Sequence, residues 1–148
     1  MGMNVYLMVG APGSGKSTYV KNKLSEYHLI SCDEIREKTF GYERTIEIRI
    51  VVYKKILALV NDLVSKKVSF VIDTTYFNEL KYREELSKII LAERIHVIYF
   101  DKPIDVCLLQ NTKRTPSRVI PDEMIKYLFN QIDSPQICEG FQSVSIIK

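Results

Sequence analysis

Residues Gly10-Ala11-Pro12-Gly13-Ser14-Gly15-Lys16-Ser17 follow directly on the apolar run Val5-Tyr6-Leu7-Met8-Val9, and the junction of the two decides the fold. An apolar run of that length reads as a strand buried on both faces. The eight residues after it satisfy G-x-x-x-x-G-K-[ST], a loop whose consecutive backbone N–H groups turn inward to form a nest for anions. Its glycines permit the turn, and the helix expected from about Gly15 adds the positive end of its dipole. Gly10, Ala11, Pro12, Gly13, Ser14, Gly15, Lys16, Ser17 and Thr18 are therefore expected to cradle the phosphates of ATP. Lys16 is placed to reach the β- and γ-phosphates, and the Ser17 hydroxyl to face a bridging Mg²⁺.

Outward from this junction, apolar runs alternate with helical patterns, the signature of repeated βαβ units and a parallel sheet. Val20, Leu24 and Tyr27 share one face of the helix after the loop, and His28-Leu29-Ile30-Ser31 reads as a short second strand. A long helix is expected from about Arg44 to Lys67, and Val68 to Ile72 then forms a third strand ending at Asp73. Tyr82, Leu86, Ile89 and Ile90 give the i, i+4, i+7, i+8 stripe of another helix, followed by a strand from Ile95 to Phe100. Pro103 and Pro121 start two more helices, the second with Met124, Ile125, Leu128 and Phe129 inward, and Val144 to Ile147 is the last strand. The pattern predicts one α/β domain over residues 1–148, an open parallel five-stranded sheet with helices on both faces.

Ligands of such a sheet bind beyond the carboxyl ends of its strands, so polar residues just past those ends carry the functional signal. Asp33 and Arg36 follow the second strand three residues apart, on one face of a starting helix, with Asp33 also suited to cap it. A carboxylate there can take the proton of an attacking hydroxyl, while the guanidinium holds that carboxylate or an acceptor phosphate. Asp73 leaves a wholly apolar strand ahead of Thr74 and Thr75, the form of a Walker-B acid that organises Mg²⁺ and its waters. The polar, basic stretch from Gln110 to Pro121 reads as a lid whose Arg114 and Arg118 reach the ATP phosphates.

The 148 residues carry 46% hydrophobic and 26% charged side chains and a net charge of +3, with no apolar run long enough to span a membrane. Three widely spaced cysteines, Cys32, Cys107 and Cys138, support neither a zinc site nor a disulfide framework. Met1-Gly2-Met3-Asn4 leads into the first strand without the pattern of a signal peptide, so a cytoplasmic location is expected. An oligomer is not indicated.

Taken together, the loop, Asp33 with Arg36, Asp73-Thr74-Thr75, the basic Arg114–Pro121 stretch and Glu139-Gly140-Phe141 resemble the polynucleotide 5′-kinase type of P-loop phosphotransferase, of the phage T4 kind. The resemblance covers nearly the whole chain. It implies a three-layer P-loop NTPase fold, ATP and Mg²⁺ as cofactors, Asp33 as general base, Arg36 on the acceptor phosphate and Arg114 on the ATP phosphates. Two departures stand out: Thr75 replaces an Asn, and Gln110 occupies the place of an earlier lid arginine, for which Arg118 is the available substitute. The Asp-x-Asp pattern of a fused phosphatase has no counterpart.

The implied activity is γ-phosphoryl transfer from ATP to the 5′-hydroxyl of a DNA or RNA end, with Lys16, Asp33, Arg36 and Arg114 catalytic and Ser17 and Asp73 at the metal. Zeta-toxin-like and other small-molecule kinases share the scaffold, so a small hydroxyl acceptor is the alternative. Tyr42, Arg44, Arg49, Lys81 and Arg83 read either as a groove for a nucleic-acid end or as solvated helix faces. A nucleotide switch without an acceptor is disfavoured, because Asn22-Lys23-Leu24-Ser25 lacks the final Asp of a guanine-recognition motif and a switch has no need of the Asp33–Arg36 pair.

Overall fold

Successive side chains of a strand point to opposite faces, and the first strand sorts the core accordingly. The structure, a computed structural model, describes residues 2–148; Met1, at the head of the N-terminal stretch read above, lies outside them. In β1 (Val5–Val9), Val5, Leu7 and Val9 enter one apolar cluster and Met8 enters a second on the other face. With β2 (His28–Ser31), β3 (Phe70–Asp73), β4 (Ile95–Phe100) and β5 (Ser143–Ile147) it forms a five-stranded sheet in the order β2-β3-β1-β4-β5, every pair parallel.

Helices cover both faces. On one, α3 (Ile46–Ser65) lays the stripe Ile48, Val52, Ile56, Val60 and Leu63 against the sheet beside α4 (Leu80–Leu86), while α1 (Lys16–Lys23) covers the other with Val20. Each large apolar side chain so removed from water contributes about 1.5–3 kcal/mol. α2 (Cys32–Phe40) packs on α3, and α5 (Ile104–Thr112) packs on α6 (Asp122–Asn130) around Cys107, Ile120 and Ile125. Met8 pairs in register with Asp73, and Asp73 with Ser31, so the loop after β1, the start of α2 and the end of β3 emerge level with one another. β1 sits between β3 and β4, where the chain turns to opposite sides, and this is where an open α/β sheet holds its ligand.

The expected elements form with shifted edges. Lys67 adopts a positive φ of 57° and Val68 N donates back to the Leu63 carbonyl, so Val68 and Ser69 stay in the turn and the third strand starts at Phe70. α3 starts at Ile46 rather than near Arg44, because the Thr45 hydroxyl accepts from Ile48 N. α2 is capped by Ser31, whose Oγ accepts from Glu34 N, which leaves Asp33 inside the first turn rather than at the cap. α1 stops at Lys23, and Tyr27 instead packs its ring 4.9 Å from that of Tyr6. α4 stops at Leu86, so Ile89 and the buried Ile90 follow it in a turn. Met124, expected inward, is half-exposed and borders the cavity described below. No helix among the described residues is long and apolar enough to cross a membrane.

Candidate active site

Between β1 and α1 the chain follows the loop that the sequence dictates. Gly13 and Gly15 adopt φ of 83° and 102°, in the left-handed region, and a Cβ on Gly13 would run into the Cys107 carbonyl oxygen. Lys16 is buried, its Nζ donating to the carbonyls of Gly10 at 2.8 Å and Ala11 at 3.0 Å. Burial pushes its pKa down, and the charge of Asp73 opposes the shift. Ser17 Oγ donates to Asp73 Oδ2 at 2.6 Å, joining the two residues expected at a metal. A hydroxyl and a carboxylate from the loop and the adjacent strand are the oxygen donors that Mg²⁺ takes beside nucleotide phosphates, so this pair fits the ion.

Asp33 and Arg36 meet as their spacing requires, with Arg36 Nη2 2.7 Å from Asp33 Oδ1. The second carboxylate oxygen is held by the lid, Arg114 Nη2 lying 3.1 Å from Asp33 Oδ2. Burial favours the neutral acid, but the hydrogen bond and charge of Arg36, then the charges of Arg114 and Arg118, outweigh it and hold Asp33 below its ordinary value. Arg118 does not reach the loop. Its Nε and Nη2 donate to Glu37 Oε2 and Oε1 at 2.7 and 3.0 Å, so the side chain expected on the ATP phosphates is spent on α2.

These pieces surround one cavity of about 830 Å³, floored by the phosphate loop and walled by α2, Asp73, α3 and the lid. That size accommodates a nucleotide together with part of an acceptor. Among the described residues, the two buried side-chain atoms without a hydrogen-bond partner are Ser14 Oγ and Arg36 Nε, and both residues border this cavity. Arg44 and Arg49 also line it; Arg49 lies 4.8 Å from the Tyr76 ring centroid, and neither has a carboxylate partner among the described residues. Lys81 is exposed away from the cavity, and Arg83 is buried beneath the loop instead of lining a groove.

Asn78, and the parts played by Arg83 and Glu139, escaped the sequence reading. Asn78 clamps the root of the phosphate loop, Oδ1 accepting from Gly10 N and Nδ2 donating to Gly10 O, each at 2.9 Å. Arg83 holds Asn78 in turn: Nη1 donates to the Phe77 and Asn78 carbonyls, Nη2 to the Asp133 carbonyl, and Nε pairs with Glu139 at 2.9 Å. A buried amide and a buried guanidinium thus join the C-terminal Glu139 to the loop. The one signal in the sequence was Glu139-Gly140-Phe141, which gave no partner for the carboxylate.

The profile of the AAA domain family matches residues 5–133, most of the chain. The chain belongs to this AAA domain family. A search of the curated proteins finds no match. Among solved structures, this AAA domain is similar to a chain of the Pnkp1/Rnl/Hen1 RNA repair complex, at a TM-score of 0.73 and 23% identity over 87% of its length and 43% of the other chain. It therefore spans less than half of that protein. A sugar kinase from Janibacter sp. HTCC2649 matches at a TM-score of 0.71 and 16% identity, over 98% of this chain and 84% of that one. A gluconokinase from Sinorhizobium meliloti 1021 matches at 0.65 and 17%, over 96% and 81%. At these identities the likeness is one of fold, and the α/β P-loop architecture of this AAA domain is shared with all three.

Proposed function

We propose that the protein is an ATP-dependent kinase that transfers the γ-phosphoryl group to the 5′-hydroxyl of a DNA or RNA end. The observation that carries the reading is the arrangement of Asp33 in the same cavity as the phosphate loop, with its two oxygens on Arg36 and Arg114. A nucleotide-binding loop alone would serve a switch. A carboxylate facing the loop beside uncompensated arginines serves a hydroxyl acceptor that carries negative charge close by. Arg44 and Arg49, without a carboxylate partner among the described residues, supply that positive charge beside the Asp33–Arg36 pair, which favours a nucleic-acid end over a neutral sugar.

In this reading the loop amides and Lys16 bind and orient the ATP phosphates, Lys16 leaving the Gly10 and Ala11 carbonyls for the phosphate oxygens. Ser17 and Asp73 would hold Mg²⁺, which when bound would neutralise charge on those oxygens. Arg114 adds a guanidinium from the lid, and Asp33 receives the acceptor proton as the hydroxyl oxygen bonds to the γ-phosphorus and the bond to the β-phosphate oxygen breaks.

The test is transfer from γ-labelled ATP to a 5′-hydroxyl oligonucleotide, beside the same oligonucleotide already 5′-phosphorylated and a panel of nucleosides and sugars. Label confined to the 5′-hydroxyl oligonucleotide is the expected result. Label on a small molecule alone keeps the chemistry and rejects the acceptor; ATP hydrolysis with no labelled acceptor rejects the kinase.

A further inference from the structure

Two arginines of the lid and two carboxylates of α2 face each other in matched steps. Asp33 and Glu37 are four residues apart on α2, and so share a face. Arg114 and Arg118 are four apart across the tight turn at Pro116–Arg118, and each pairs with the carboxylate opposite. The rungs are unequal. Arg118 grips Glu37 with two nitrogens on two oxygens, at 2.7 and 3.0 Å, whereas Arg114 touches Asp33 through one nitrogen at 3.1 Å. A bidentate charge-assisted pair is the stronger and the more rigid.

The location of the first rung excludes a direct chemical role. Glu37 and Arg118 meet with Glu34 and Lys38 at a separate shallow hollow, outside the cavity that holds the loop. At its far end the lid is fixed by Asn111, whose amide side chain exchanges two hydrogen bonds with the backbone of buried Ile120. Among the described residues, the lid's other side-chain ties between Lys113 and Val119 are the single-nitrogen Arg114–Asp33 contact and a 3.4 Å contact from Arg44 Nη2 to the Ser117 carbonyl. The Glu37–Arg118 pair is therefore what fixes the free arch of the lid against the body of the protein.

We propose that Glu37 and Arg118 are positioning residues, a clamp that holds the lid on α2 so that Arg114 stays within reach of both Asp33 and the phosphate loop. This rests on the kinase reading above. The strong rung stays closed while the weak one exchanges: the ATP phosphates compete for Arg114 and free one oxygen of Asp33 for the acceptor. Arg118, which the sequence alone offers for gripping phosphate, serves the lid's attachment instead.

Three variants of the full chain test this: Glu37→Gln, Arg118→Gln, and the exchange Glu37→Arg with Arg118→Glu. Each is measured for ATP affinity by calorimetry without acceptor, for kcat and both KM values, and for melting temperature. The single variants should lower kcat/KM for ATP by about 10- to 100-fold with the acceptor KM unchanged, as loss of positioning does. The exchange should recover most of that loss. If Arg118 is itself a phosphate ligand, Glu37→Gln frees it and ATP binds as tightly as in the wild type or tighter, and the exchange is as damaged as Arg118→Gln; either result overturns the clamp. Because ATP affinity needs no acceptor, a wild type that labels no acceptor rejects the kinase reading while the affinities still decide the clamp.

Discussion

At Asp33, two roles compete for one carboxylate. Its ion pairs with Arg36 and Arg114 hold it ionised and below its ordinary value of 3.8, so their contribution to stability is intact above that pH and is lost as pH falls through the lower folded value. In the proposed reaction the same pairing would make Asp33 a weak proton acceptor until Arg114 leaves. When ATP draws Arg114 away, one stabilising cation departs and phosphate charge arrives, and both raise the carboxyl. The acid limb of kcat, which reports the bound state, should therefore lie at higher pH than the acid limb of kcat/KM for ATP, which reports the free enzyme; coincident limbs would argue against the exchange. Asp33→Asn should lower kcat about 10²- to 10⁴-fold because the proton acceptor is lost, while ATP binding is not weakened, since Arg114 is then released from its carboxylate partner. Lys16→Ala should instead weaken ATP binding and lower kcat together, by about 10²- to 10³-fold in rate. Steady-state kinetics with calorimetric ATP binding separates the two patterns.

At the scale of elements, the phosphate loop depends on what lies beneath it. Arg83 is 1% exposed and its partner carboxylate Glu139 is 14% exposed. Arg83→Met leaves the Glu139 carboxylate without its cation and removes a donor from the Phe77, Asn78 and Asp133 carbonyls, and should cost about 3–5 kcal/mol in urea denaturation. Asn78→Ala removes both ties to Gly10 and should cost about 1–3 kcal/mol, with a rise in the Kd for ATP because the loop's root is loosened. A variant as stable as the wild type would deny the amide its clamping role. These two residues also mark where the sequence stops being readable. The loop residues are consecutive, and Asp33 and Arg36 are three apart on one helix, so covalent geometry alone brings them together. Asn78 reaches Gly10, Arg83 reaches Glu139 and Arg118 reaches Glu37 only through the tertiary fold, and no local period announces any of them. The lid arginines looked alike in sequence. What separates them is that Arg114 falls opposite Asp33 at the cavity, and Arg118 one helical turn along, opposite Glu37. The strand and helix edges moved for smaller reasons, such as the Ser31 and Thr45 caps, which a pattern of apolar residues does not weigh.

Across the molecule, the charge of +3 is modest, but Arg36, Arg44, Arg49 and Arg114 all line one cavity. A double variant, Arg44→Ala with Arg49→Ala, should raise the KM for an oligonucleotide acceptor and make it less sensitive to salt, leaving the KM for ATP unchanged. An unaltered salt dependence would remove these arginines from acceptor binding. The order of the sheet has a consequence of another kind. β1, which leads into the phosphate loop, is made first but pairs with strands that begin at Phe70 and Ile95, and β5 adds only to β4. A chain emerging from the ribosome therefore exposes Val5–Val9 without a partner strand until Phe70–Asp73 has been made, and with only one until Ile95–Phe100 follows. The strand that leads into the phosphate loop thus waits longest for its first partner, and is exposed to wrong pairing throughout that interval.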